Sequence, residues 1–141
     1  MVPVLIVAHE NLAEAFLQTC RAILQDTASI SCISVHANDD VDEARKTIRH
    51  KIHQLDKGRG VLILTDLFGG TPSNLSLSFL DELNVEVVTG LNLPMLIKLP
   101  FLDENADLRS IATTIMEYGR RNINVASQVL AGGSGGSPKQ K

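Results

Sequence analysis

No stretch of this 141-residue chain is apolar for long enough to span a bilayer, and its opening MVPVLIVAHENL has neither the basic start nor the cleavage site of a signal peptide. Direct membrane insertion is therefore not expected, and a cytoplasmic location is. An excess of positive charge is lacking too. Thirteen Lys and Arg against sixteen Asp and Glu give a formal net charge of −3, which leaves no broad attraction for nucleic acid. The two cysteines, Cys20 and Cys32, sit in apolar surroundings without a C-x-x-C spacing, so they read as small buried residues and not as a disulfide or a metal site. Neither a G-x-x-x-x-G-K-[ST] loop nor a G-x-G-x-x-G turn occurs, so two familiar signatures of nucleotide binding are missing. His50 and His53 share a predicted helix but have no evident third ligand, which favours a solvated face over a metal centre. No metal and no cofactor is expected.

What the chain does have is alternation. VPVLIVA, Val2 to Ala8, is apolar and β-branched, as befits a strand covered on both faces, and Leu12, Phe16, Cys20, Ile23 and Leu24 follow at helical spacing. ISCISV and the stripe Val41, Ala44, Ile48, Ile52 and Leu55 repeat the unit, and GVLILT and VEVVTG begin two more. Asn92 and Pro94 mark the start of a short helix, and Leu108, Ile111, Ala112, Ile115 and Met116 carry a longer one ending near Gly119. NINVAS, Asn122 to Ser127, alternates polar with apolar and suggests an edge strand, although continued helix fits nearly as well. A chain of this length buries roughly two-thirds of its extended surface as one domain. The expected organisation is a domain over residues 1–131 and a flexible Gly/Ser-rich tail over 132–141.

Such alternation argues for an α/β fold, an open and mainly parallel sheet with helices on both faces. In strand order 2-1-3-4, ligands gather beyond the carboxyl ends of strands one and three, where the order reverses. His9 ends the first of these and Asp66 the third. After Asp66 comes LFGGTPSN. Gly69 and Gly70 allow close backbone approach, and Thr71 and Pro72 read as cap and first turn of a helix running through Leu75, Phe79, Leu80 and Leu83. Each feature alone fits an ordinary strand-to-helix turn. Together they set an imidazole, an acid able to orient it and anion donors at one crevice, the arrangement nucleophilic catalysis requires.

VLILTDLFGGTPSN, a histidine just after the first strand, and GLNLPML downstream resemble the enzyme IIA component of the mannose family in the bacterial sugar phosphotransferase system. The resemblance covers nearly the whole chain before the glycine-rich tail. It implies a phosphotransferase in which His9 accepts a phosphoryl group from the carrier HPr and passes it to an enzyme IIB partner in sugar uptake. By the same resemblance Asp66 fixes the ring and leaves Nε2 as acceptor, while Phe68, Gly69, Gly70 and Thr71 form the phosphoryl-binding loop. A homodimer is also implied, with a C-terminal antiparallel strand exchanged to the edge of the partner's sheet. The alternatives are a regulatory phosphoprotein of the same fold that acts by binding, the phosphotransfer subunit of a dihydroxyacetone kinase, and a non-catalytic phosphate-binding module. One departure stands out. The family commonly has glycine after the histidine and often a hydroxyl residue before it, whereas this chain reads Ala8-His9-Glu10. Glu10 is expected either to raise the imidazole pKa and hinder a phosphoryl donor, or to point into solvent or cap the next helix.

Overall fold

The computed structural model describes residues 1–132. Four parallel strands, β1 (Val4–His9), β2 (Ile30–Val35), β3 (Val61–Thr65) and β4 (Val85–Val88), form one sheet in the order β2-β1-β3-β4. The helices are α1 (Leu12–Ile23), α2 (Val41–Leu55), α3 (Thr71–Leu77), α4 (Leu93–Lys98), α5 (Leu108–Arg121) and α6 (Ala126–Ala131), with a 3₁₀ turn at Leu99–Phe101. Residues 133–141, nearly all of the expected tail, lie outside the described residues.

The pleat explains the layers. Val4, Ile6 and Ala8 of β1 face one way and meet Ala13, Leu17 and Cys20 of α1, Met95 and Leu96 of α4, and Ile111 and Ile115 of α5. Leu5 and Val7 face the other way and meet Ile48 and Ile52 of α2, Leu75 of α3, and Phe79. Both sets are almost wholly buried, which is why β1 reads as an unbroken apolar run and not as an alternating one. Cys20 is buried and Cys32 partly so, both as free thiols, and burial pushes the pKa of each upward.

The chain leaves β1 for β2 through α1 on one face and returns to β3 through α2 on the other. The reversal therefore falls between β1 and β3, and their carboxyl ends, at His9 and Thr65, open on the same side of the sheet.

Two expectations need correction. The third helix begins at Thr71, but Gly70 holds the cap position with no side-chain cap bond, and the helix ends at Leu77, short of Leu83. Its serines return bonds to the backbone, Ser76 Oγ to Pro72 O at 2.8 Å and Ser78 Oγ to Leu75 O at 2.6 Å. Short hydroxyl side chains compete with helix propagation in this way, and the chain continues as overlapping turns through Glu82.

The edge strand expected over Asn122–Ser127 is the second. Among the described residues the sheet has four strands, and Asn122 to Val125 lead into α6. In a single chain a lone strand would leave its amides and carbonyls without partners. A helical turn pairs them locally, as Gln128 N–H and Val129 N–H do with Val125 O. Ile123, Val125 and Leu130 remain exposed as a result.

Candidate active site

His9 is the last residue of β1, and Asp66 is the first after β3. Their meeting follows from the parallel pairing of the two strands, which sets Val7 beside Thr65. Asp66 Oδ2 accepts the His9 backbone N–H at 3.0 Å and lies 2.8 Å from His9 Nδ1, while Oδ1 accepts Leu67 N–H at 3.0 Å. An ionised carboxylate can only accept, so Nδ1 carries the proton and the lone pair resides on Nε2. Burial alone would raise the Asp66 pKa. The backbone bond, the ring bond and the proximity of His9 together outweigh it, and the carboxyl titrates below its ordinary value. The acid is buried at 8% side-chain exposure, whereas the imidazole is open at 41%, so the ring is anchored on its inner edge and free on its outer one.

The outer edge faces Gly70. A Cβ on Gly70 would lie 2.6 Å from His9 Cε1 and 2.9 Å from Nε2, closer than real Cβ contacts allow, so glycine here is a requirement of space. Gly69 is different. Its φ of +96° demands glycine for conformation, with open space around it, and its N–H is held by Ser73 Oγ at 3.0 Å. Ser73 is fully buried and was not singled out in the sequence; its position four residues after a glycine was the available signal. Phe68 and Thr71 are exposed around the same turn, Phe68 at 70%. The loop thus puts small, open backbone next to a nucleophilic nitrogen, an arrangement suited to taking up a tetrahedral group at Nε2.

Glu10 does not cap the next helix, and its exposed side chain is tethered and not free in solvent. Its carboxylate turns to the β2–α2 loop, where Oε1 lies 3.0 Å from His36 Nδ1 and Oε2 accepts Ala37 N–H at 3.0 Å. The start of α1 falls to Asn11, which makes no side-chain cap bond. Among the described residues no cluster of three or more His, Cys, Asp or Glu is arranged to hold a metal, and no helix is long and apolar enough to cross a membrane.

A family model described as PTS system fructose IIA component, EIIA-man, matches residues 3–116. The mannose-specific EIIAB component of Escherichia coli (strain K12) is 27% identical over 124 residues, 86% of this chain but 38% of that protein, so the chain spans well under half of that relative's length. The fructose-specific EIIA component of Bacillus subtilis (strain 168) is 22% identical over 131 residues, 92% of this chain and 90% of that one. The crystal structure of the PTS IIA protein associated with the fucose utilization operon from Streptococcus pneumoniae has a TM-score of 0.77 at 27% identity, covering 91% of this chain and 95% of that one. With most of its length matched by the family model, this chain belongs to the EIIA family of the mannose, fructose and sorbose phosphotransferase systems.

Proposed function

We propose that this protein is a phosphocarrier that accepts a phosphoryl group from phospho-HPr on Nε2 of His9 and passes it to an enzyme IIB partner in sugar uptake. The observation that carries the reading is the 2.8 Å contact between His9 Nδ1 and the buried Asp66 carboxylate, which holds the ring with Nε2 outward. As Nε2 attacks, the N–P bond forms while the donor's bond to phosphorus breaks, and the ring becomes cationic with its proton still on Nδ1. Asp66 balances that charge where it develops. Gly69, Gly70 and Thr71 flank the transferred group, and the exposed Phe68 beside them offers a docking partner an apolar contact.

Incubation with phosphoenolpyruvate, enzyme I and HPr is expected to put one acid-labile, base-stable phosphoryl group on the chain, with ³¹P–¹⁵N couplings assigning it to Nε2 of His9. Subsequent addition of a cognate IIB should discharge it. A chain that stays unlabelled under conditions that phosphorylate a known family member overturns the reading, and a label that no IIB discharges turns it toward regulation.

The same proposal includes a homodimer in which the C-terminal segment covers the partner's β4. That strand is a sheet edge with no neighbour beyond it among the described residues, and beside it a cavity of about 490 Å³ is lined by Val87, Met95, Met116 and Ile123. Exposed Ile123, Val125 and Leu130 supply apolar surface for such a contact. Truncation before Asn122 is expected to yield monomers by analytical ultracentrifugation. A truncated chain that remains a stable dimer refutes the role given to this segment.

A further inference from the structure

Glu10 immediately follows His9, at φ +50°, a left-handed conformation that is uncommon for a residue with a Cβ. The backbone there is held by Glu10 N–H to Val35 O at 2.9 Å, and the carboxylate by His36 and by Ala37 N–H. His36 N–H in turn donates to Asp39 Oδ2 at 2.8 Å. His9, Glu10, His36, Ala37 and Thr71 all line one small cavity of about 100 Å³ at the rim of the site. The cross-link therefore ties the β2–α2 loop to the residue after the proposed acceptor.

We propose that Glu10 and His36 are a positioning pair that fixes this loop at the rim of the His9 site and keeps the acid beside His9 turned away from, and neutralised toward, an incoming phosphoryl group. The proposal rests on the carrier reading of His9.

A second acceptor at His36 is the competing idea, because His36–Glu10 repeats the imidazole–carboxylate geometry of His9–Asp66. Charge argues against it. His36 is faced by Glu10 from the β1–α1 turn, by Glu14 from α1 and by Asp39 from its own loop, while the α2 cap Asp40 is turned to its own helix. A phosphoryl group there would meet acids on several sides.

The hydrogen bond to Glu10 raises the His36 pKa against the opposing effect of desolvation, with the charges of Glu10, Asp39 and Glu14 adding to it. The same bond, then the Ala37 bond, lowers the Glu10 pKa. The ion pair is thus complete between the lowered Glu10 pKa and the raised His36 pKa. It is lost as pH falls through the first or rises through the second. Above the His36 pKa the carboxylate stands unneutralised next to His9, so phosphoryl acceptance acquires a pH dependence that a chain with glycine at this position lacks.

Glu10→Gly suits the backbone and removes the acid, while Glu10→Gln keeps an acceptor without the charge. In ¹⁵N-resolved NMR titrations, Glu10→Gly is expected to move the His36 midpoint downward and speed amide exchange at Ala37. In Glu10→Gln the midpoint falls while Ala37 stays protected. The ratio of wild-type to Glu10→Gly phosphorylation rates by HPr, at matched folded fraction, should fall roughly two- to fivefold as pH rises through the His36 titration, the span expected of an exposed ion pair. An unmoved His36 midpoint, or a ratio flat in pH, overturns the proposal, as does phosphate on His36. A chain that takes no label while the midpoint still moves overturns the carrier reading and this positioning role with it, leaving a purely structural clamp.

Discussion

Gly70→Ala is expected to lower the rate of phosphorylation by HPr about 10²-fold, the order of loss that an ångström of misplacement at a reacting atom produces, while leaving the protein folded. The new Cβ would sit 2.6 Å from His9 Cε1 and 2.9 Å from Nε2, so the atom that must approach phosphorus is the one displaced. Relief is available in one direction. The imidazole, 41% exposed, can swing outward, but it must then break the 2.8 Å bond to Asp66. The backbone at Gly70 lies at φ −87°, ψ 171°, which alanine adopts readily, so the thermal midpoint should fall only by what the ring's bond to Asp66 contributes while the rate falls much further. A control at Gly69 separates space from conformation, because alanine there meets open space but is strained at φ +96°. It should cost stability first. Phosphorylation of Gly70→Ala at the wild-type rate would mean that the ring and the loop do not work as one unit.

The sheet and its order were legible because both depend on patterns that survive without tertiary information. Unbroken apolar runs at residues 4–8 and 61–64, each followed by helical periodicity, leave few topologies once right-handed crossovers are imposed. The switch point then brings His9 to Asp66, since both stand at strand ends. Helix extent was less legible. Phe79 and Leu83 carry helical spacing beyond α3, but they pack as apolar residues whatever their backbone does, and the serines decide where the helix stops.

The C-terminal segment shows a different limit. NINVAS alternates like a strand, yet pairing needs a neighbour, and within one chain the local helical bonds of α6 prevail. Gly70 marks a third. Its sequence suggested a close approach of backbone to ligand, whereas its nearest neighbour is the histidine ring itself. The direction of the Glu10 side chain could not be read at all. It depends on the β2–α2 loop, 26 residues away from Glu10 at His36.

Asp66→Asn is expected to have the other large effect, and the hydrogen-bond inventory says why. The wild-type carboxylate serves three donors, with His9 N–H and Nδ1–H on Oδ2 and Leu67 N–H on Oδ1. Asparagine has one acceptor oxygen. If that oxygen faces His9, the amide nitrogen confronts Leu67 N–H; if it faces Leu67, the two His9 donors meet an NH₂ and the ring loses its tautomeric anchor. The first orientation is the cheaper, because the Leu67 bond is exposed and water can replace its acceptor, so the loss of stability should stay near about 1 kcal/mol. The rate should fall further than stability does, by roughly 10²- to 10⁴-fold, because the variant also lacks the negative charge that balances the imidazolium as the N–P bond forms. Acid stability provides an independent check. With its folded-state pKa lowered, Asp66 contributes stability that is present above the ordinary aspartate pKa and lost as pH falls through the lowered value. Wild type and Asp66→Asn should therefore converge in stability on acidification and diverge again toward neutral pH, in parallel urea titrations. Curves that stay a constant distance apart would place the linkage on another carboxyl, and an unimpaired phosphorylation rate in Asp66→Asn would remove Asp66 from the proposed chemistry.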